Sequence, residues 1–164
     1  MSRSIENLKA AFAGESQANR RYAAFAKKAE AEGFKQVARL FRAESEAEAV
    51  HANNHIRRTG ELKSTAENVA AAISGETYEF EKMYTEFLAA AKQEGDERAA
   101  WSFDVAQKVE QRHAGLYSKA AEALKNKQDL AAIDYYVCSV CGNTVEGEAP
   151  NTCPICGAPK KNFI

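Results

Sequence analysis

The sequence predicts an all-α protein, a four-helix bundle followed by a small four-cysteine metal module. Three observations lead there. The first ~130 residues contain no proline, the only three being Pro150, Pro154 and Pro159, so nothing in that stretch must break a helix. The same stretch is rich in Ala, Glu, Lys and Arg, which favour helix. All four cysteines fall in the last 27 residues, as two Cys-x-x-Cys pairs.

Four helical segments follow from the apolar spacing. The first runs from an N-cap near Ser4 to about Glu32, with Ile5, Leu8, Phe12, Tyr22, Phe25 and Ala29 on one stripe. The second follows Gly33 and Phe34, carries Val37, Leu40, Phe41 and Ile56, and ends near Arg58. The third starts at Ser64, which with Glu67 forms a capping-box pattern, and runs unbroken through Val69, Ile73, Phe80, Met83 and Phe87 to about Glu94. The fourth runs from Asp96 to about Lys125 through Phe103, Ala106, Leu116, Ala120 and Leu124. Gly33, Gly60 and Gly95 stand where helices stop.

Each apolar stripe has a gap filled by acid or histidine: Glu15 on the first, Glu48 and His51 on the second, Glu76 and Glu79 on the third, Glu110 and His113 on the fourth. The gaps repeat. Glu48-x-x-His51 recurs 62 residues later as Glu110-x-x-His113, and Gly33 and Tyr22 recur as Gly95 and Tyr84 at the same offset. Gly14-Glu15 recurs as Gly75-Glu76 at an offset of 61, a slip of one residue. The chain therefore reads as two similar helical hairpins in tandem. All seven polar residues lie 15 to 19 positions from their hairpin glycine, roughly 22–29 Å along a helix. Antiparallel folding sets each hairpin's groups at one level, and pairing the hairpins through their apolar faces is expected to gather all seven near mid-bundle.

A buried carboxylate without a partner is costly, and five together would repel and take up protons. Two multivalent cations resolve this, since carboxylates bridge metal ions and imidazole suits iron or zinc over magnesium or calcium. In Glu-x-x-His the two side chains share one helix face, and two such motifs with further Glu residues are the donor set of di-iron helix bundles. His55, four residues beyond His51, is expected to lie outside the site. Gly14 and Gly75, each preceding a candidate ligand, are compatible with close helix approach or with simple tolerance. Tyr22 and Tyr84 either reach over the site with their hydroxyls or pack in the core.

At the C-terminal end, Cys138-x-x-Cys141-Gly142 and Cys153-x-x-Cys156-Gly157 are separated by 11 residues. A segment this short cannot bury a sufficient core unaided, and one metal held by all four thiolates would tie it together. Glycine after each second cysteine permits positive φ, aiming backbone N–H groups at sulfur. The spacing does not separate iron from zinc.

The segments AFAGESQANRRY (11–22), EAVH (48–51), GETYEFEKMY (75–84), EQRH (110–113), YVCSVCG (136–142) and CPICGAP (153–159) make the whole chain resemble the rubrerythrins. The resemblance implies a ferritin-like di-iron four-helix bundle over residues 1–132 and a rubredoxin-like domain over 133–164. Glu76, an addition to a generic ferritin-like ligand set, is the distinguishing residue. By resemblance, Glu48 and Glu110 bridge the irons, Glu15 and Glu76 are terminal ligands, and His113 binds the second iron. Glu79 and His51 exchange on the first iron with redox state, and Tyr22 and Tyr84 hydrogen-bond ligand carboxylates. Cys138, Cys141, Cys153 and Cys156 hold one iron, zinc being possible there. The implied activity is reduction of hydrogen peroxide to water, as defence against oxidative stress. Electrons come from a separate NAD(P)H-linked reductase or rubredoxin-type donor through the four-cysteine iron. A homodimer is implied, domain-swapped or further paired to a tetramer, with one subunit's rubredoxin-like site serving its partner.

Other classes are weighed against this. A net charge of -1 gives no footprint for nucleic acid. No apolar run approaches the ~20 residues of a membrane span, and the N-terminal residues lack a signal-peptide pattern, so a cytoplasmic protein is expected. No Gly-x-Gly-x-x-Gly occurs, so a pyridine nucleotide is not expected to bind directly. Ferroxidase or iron-handling activity, and a zinc-stabilised interaction module, stand as alternatives.

Overall fold

The computed structural model describes residues 2–164. The chain forms two compact units, one ending at Lys63 and the other spanning Ser64–Ile164. Among the described residues no helix is long and apolar enough to cross a membrane.

The first unit is a hairpin of α1 (Arg3–Ala31) and α2 (Lys35–Thr59). Ser2 rather than Ser4 is the N-cap, its hydroxyl accepting from the Ile5 N–H at 3.4 Å. Either serine can cap; choosing the earlier one places Ser4 inside the first turn. Gly33 turns the chain at φ +87°. The seam is lined by alanine: Ala26, Ala29, Ala38 and Ala52 are buried, and such small side chains let two helices lie close. Within it Asn19 donates to the Ser45 carbonyl at 2.6 Å, while the Ser45 hydroxyl donates to the Asn19 carbonyl at 2.9 Å. Each polar group is thereby satisfied, as burial requires.

The second unit repeats the plan. It holds α3 (Thr65–Tyr78), α4 (Tyr84–Glu94) and α5 (Glu97–Lys125). The Ser64–Glu67 capping box is formed, and Asp96 caps α5 by accepting from the Arg98 and Ala99 N–H groups. Ala91 and Ala114 are buried, 62 residues after Ala29 and Ala52. Two aromatic trios also match: Tyr22, Phe25 and Phe41 have ring centroids 5.5–6.2 Å apart, and Tyr84, Phe87 and Phe103 5.5–6.3 Å apart.

The third predicted helix is not continuous. A π-turn over Glu79–Met83 separates α3 from α4, with the Tyr84 N–H donating five residues back to the Glu79 carbonyl. A π-turn is one residue inserted into an α-helix, and it falls where the repeat offset changes from 61 to 62. The Phe80 carbonyl lies within this turn. The Gln107 side-chain amide donates to that carbonyl at 3.0 Å and to the Thr85 hydroxyl at 2.6 Å, and Thr85 donates to the same carbonyl at 3.2 Å. Gln107 stands 62 residues after Ser45, so the polar seam contact of the first hairpin has become a clamp on the π-turn.

After α5 the chain forms an antiparallel ribbon of β1 (Tyr135–Val137) and β2 (Thr144–Glu146). The end of the chain closes it, the Val137 and Ile164 backbones exchanging hydrogen bonds at 2.9 and 3.0 Å. The module's buried cluster is Cys138, Cys153 and Ala158, flanked by Cys141, Ile155, Cys156 and Phe163. The cysteines are themselves much of its core.

Candidate metal centres

Three groups of metal-ligating side chains stand out, each with donor atoms within 4.8 Å of one another: Glu15, Glu48 and His51; Glu76, Glu110 and His113; and the four cysteines. Each forms within one unit.

In the first hairpin, Glu48 and His51 share a face of α2, with His51 Nδ1 2.8 Å from Glu48 Oε2. Glu15 reaches the pair from α1. In the second, His113 Nδ1 lies 2.7 Å from Glu110 Oε2 and 3.9 Å from Glu76 Oε2. In both motifs it is Nδ1 that faces the carboxylates. Two acids and an imidazole nitrogen converging in this way suit a divalent ion with imidazole affinity, so the residues fit the iron ligation expected of them.

The second cluster is electrostatically loaded. Burial raises the Glu76 pKa, and a hydrogen bond and like charge from Glu110 raise it further, against the lowering effect of His113. Glu79 is also raised, by burial and then by Glu76. It stands beside the cluster, on the π-turn, rather than within its closest set. The Tyr84 phenol is raised by burial and then by Glu110, Glu79 and Glu76, so it faces the same acids while packing in its aromatic trio. Tyr22 occupies the matching trio. His55 is part-buried and outside every cluster. A Cβ built at Gly14 or Gly75 meets nothing within 4 Å among the described residues, so these glycines stand in open space.

The four cysteines are free thiols. Cys138 and Cys156 sulfurs lie 3.7 Å apart, and those of Cys141 and Cys153 3.6 Å apart. Four sulfurs each about 2.3 Å from a tetrahedral ion stand about 3.8 Å apart, so the cage has the size of one ion. The two loops are alike. The Gly142 N–H donates to the Cys138 carbonyl at 2.8 Å and the Gly157 N–H to that of Cys153 at 2.9 Å. Both glycines adopt positive φ, +84° and +78°, where a side chain is strained. The loops aim N–H groups at sulfur: Asn143 at Cys141, Ile155 and Cys156 at Cys153, and Ala158 at Cys156. Burial raises Cys141 strongly. At Cys153 burial acts upward too, but the Cys156 and Ile155 N–H groups, with the Cys141 and Cys156 thiols, outweigh it and hold the thiol at about 7. Asn143, beside this loop, is fully buried with both side-chain amide atoms unpartnered.

Two residues at these sites were not foreseen. Gln107 had one sequence signal, the slip in the repeat. Thr144 had none. It comes from β2 to place its hydroxyl 3.1 Å from His113 Nε2.

Comparison with known proteins agrees with this arrangement. The rubrerythrin family profile matches residues 6–121, and that of the rubrerythrin rubredoxin-like domain matches residues 136–164. Nigerythrin of Nitratidesulfovibrio vulgaris is 35% identical, over 97% of this chain and 84% of its own. Rubrerythrin-2 of Clostridium acetobutylicum is 32% identical, over 95% and 92%. A solved structure of nigerythrin in a partially reduced state superposes with a TM-score of 0.58 at 34% identity, covering all of this chain and 86% of that one. This chain belongs to the rubrerythrin family, with a ferritin-like di-iron domain and a four-cysteine rubredoxin-like domain.

Proposed function

We propose that the chain is a non-haem di-iron peroxidase that reduces hydrogen peroxide to water in defence against oxidative stress, within a ferritin-like domain of residues 1–132 and a rubredoxin-like domain of 133–164. Glu15, Glu48 and His51 from the first hairpin, with Glu76, Glu79, Glu110 and His113 from the second, hold two irons. The four cysteines hold one more. When bound, the iron pair supplies the two electrons that peroxide cleavage consumes.

The observation that carries this reading is the crowding of Glu76, Glu79 and Glu110 around His113. A carboxyl raised above its ordinary range, as at Glu76 and Glu79, holds a proton more readily at its oxygen. Bound cations would displace such protons and offset the crowded negative charge, which is what a set of metal-binding carboxylates needs. Tyr84, raised by burial and then by the same acids, stays a neutral phenol beside them. By the family resemblance, His51 and Glu79 would be the exchanging ligands and Glu48 and Glu110 the bridging ones. The N–H groups aimed at the cysteine sulfurs are of the kind that tunes an iron–sulfur potential, in keeping with passing electrons from an external NAD(P)H-linked or rubredoxin-type donor.

A homodimer completes the reading. Phe25, Phe34, Val37, Leu40 and Val50 on the first hairpin and Phe87 and Trp101 on the second are exposed, apolar surface that a second copy of the chain would cover. Glu110→Ala is expected to abolish peroxide turnover while leaving the four-cysteine chromophore intact. Retained turnover would refute the assignment.

A further inference from the structure

We propose that Thr144, on the four-cysteine module, is the positioning residue of His113, and that this single bond makes the two repeated Glu-x-x-His motifs unequal. The inference rests on the metal-site reading above but not on the reaction with peroxide.

The two histidines begin alike. Each follows its glutamate by three, and each turns Nδ1 toward that glutamate, at 2.8 Å for His51 and 2.7 Å for His113. They differ at the other nitrogen. His113 Nε2 meets the Thr144 hydroxyl at 3.1 Å, whereas among the described residues no hydrogen-bond partner faces His51 Nε2. Exposure follows: the His51 side chain is 56% exposed and that of His113 23%.

The direction of the bond is set by what lies beyond it. The Thr144 hydroxyl lies 3.4 Å from the Gly142 carbonyl, which takes its proton and leaves the oxygen to accept from Nε2–H. With its proton on Nε2, the imidazole keeps the Nδ1 lone pair for a metal ion that Glu110 and Glu76 would also hold. A partner on the far nitrogen is how proteins fix the tautomer and ring angle of a metal-binding histidine. Here the partner is carried by the neighbouring module, and Gly142 directly follows Cys141. The module is seated firmly enough for the task. Lys119 on α5 pairs with Glu146 on β2, and a Cβ at Gly142 would stand 3.9 Å from Val109, itself buried on α5. A cavity of about 350 Å³ beside the pair is lined by Val69, Leu116, Ala120 and Leu130 together with Tyr117 and Tyr135, and of its walls it is Thr144 whose hydroxyl meets Nε2.

The consequence is a division of labour. His113 is held as a fixed donor, its orientation tied to the docked module of the same chain. His51 has no such restraint within its own hairpin.

The test uses the full chain with the four-cysteine site first filled with zinc, then titrated with cobalt(II) alone. Wild type, Thr144→Val and Thr144→Ser are compared for cobalt affinity and for the exchangeable imidazole N–H proton signals shifted by the bound ion. Thr144→Val, nearly isosteric, is expected to weaken cobalt binding about 10–100-fold and to hasten solvent exchange of the His113 N–H signal, with the His51 signal unmoved. Thr144→Ser should restore both. Should Thr144→Val lose helix content, Thr144→Ala replaces it in the same comparison. Unchanged affinity and exchange in the hydroxyl-deleted protein would overturn the inference. So would a serine variant as impaired as the valine one, because the hydroxyl would then not be the cause. A wild type that binds no cobalt at these carboxylates would overturn the metal-site reading as well, whereas failure to reduce peroxide would leave this inference standing.

Discussion

Glu76 shows how much one carboxylate depends on its neighbours. Its pKa is raised chiefly by burial and next by Glu110, so the metal-free cluster begins to take up protons at a pH above the ordinary carboxylate value of 4.5. An acid with a raised folded-state pKa favours the folded form when protonated and opposes it when ionised. Glu76 and Glu79 therefore weaken the metal-free protein as pH rises through that window, and a bound cation removes the penalty. Metal binding should displace these protons. Calorimetric titration with cobalt is expected to show more proton release near pH 5 than near pH 7.5, and the difference should shrink in Glu76→Gln. Equal release at both pH values would contradict the electrostatic account. The candidate ligands were legible in the sequence because each acid or histidine interrupts an apolar stripe at a matching depth. Thr144 was not, because it reaches His113 from a strand 31 residues away, a distance no helical period spans.

At the scale of elements, the helices follow from caps and spacing, and most of their ends fall within a residue or two of expectation. The π-turn is the exception. Its apolar pattern still reads as one helix, because a single inserted residue rotates the later stripe without erasing it. Only the change of repeat offset marks the place. Gln107 and Thr85 satisfy the Phe80 carbonyl there, and stranding such a group costs about 1–3 kcal/mol. Gln107→Leu leaves Thr85 as a donor to that carbonyl, so it is expected to lower stability by less than that in urea unfolding and to speed amide exchange over residues 79–85, with α1 and α2 unaffected. Unaltered exchange would mean the clamp does not hold the turn. The four-cysteine module offers a second check. With cysteines forming so much of its core, removing metal with a chelator should erase amide protection over residues 135–164 while the helices keep theirs.

For the whole molecule, the tandem repeat explains the family's bundle as two hairpins of one design, each with its own Glu, Glu and His set. Composition and motif spacing carried this far because helical hairpins are local structures. The pairing of hairpins and the number of chains are not local, and periodicity within a helix is silent on them. Native mass spectrometry is expected to find a dimer or a pair of dimers; a monomer holding both irons would contradict the homodimer proposed above. The central claim, that peroxide is the oxidant consumed at the di-iron centre, has a more direct test. The protein is reduced without oxygen, one equivalent of hydrogen peroxide is added, and the ferric absorption of the four-cysteine site is followed beside an equal dose of dioxygen. Rapid return of colour with peroxide and slow return with dioxygen is the predicted result, the four-cysteine iron giving its electron to the oxidised pair. No peroxide-driven return, or return no faster than with dioxygen, would contradict the account.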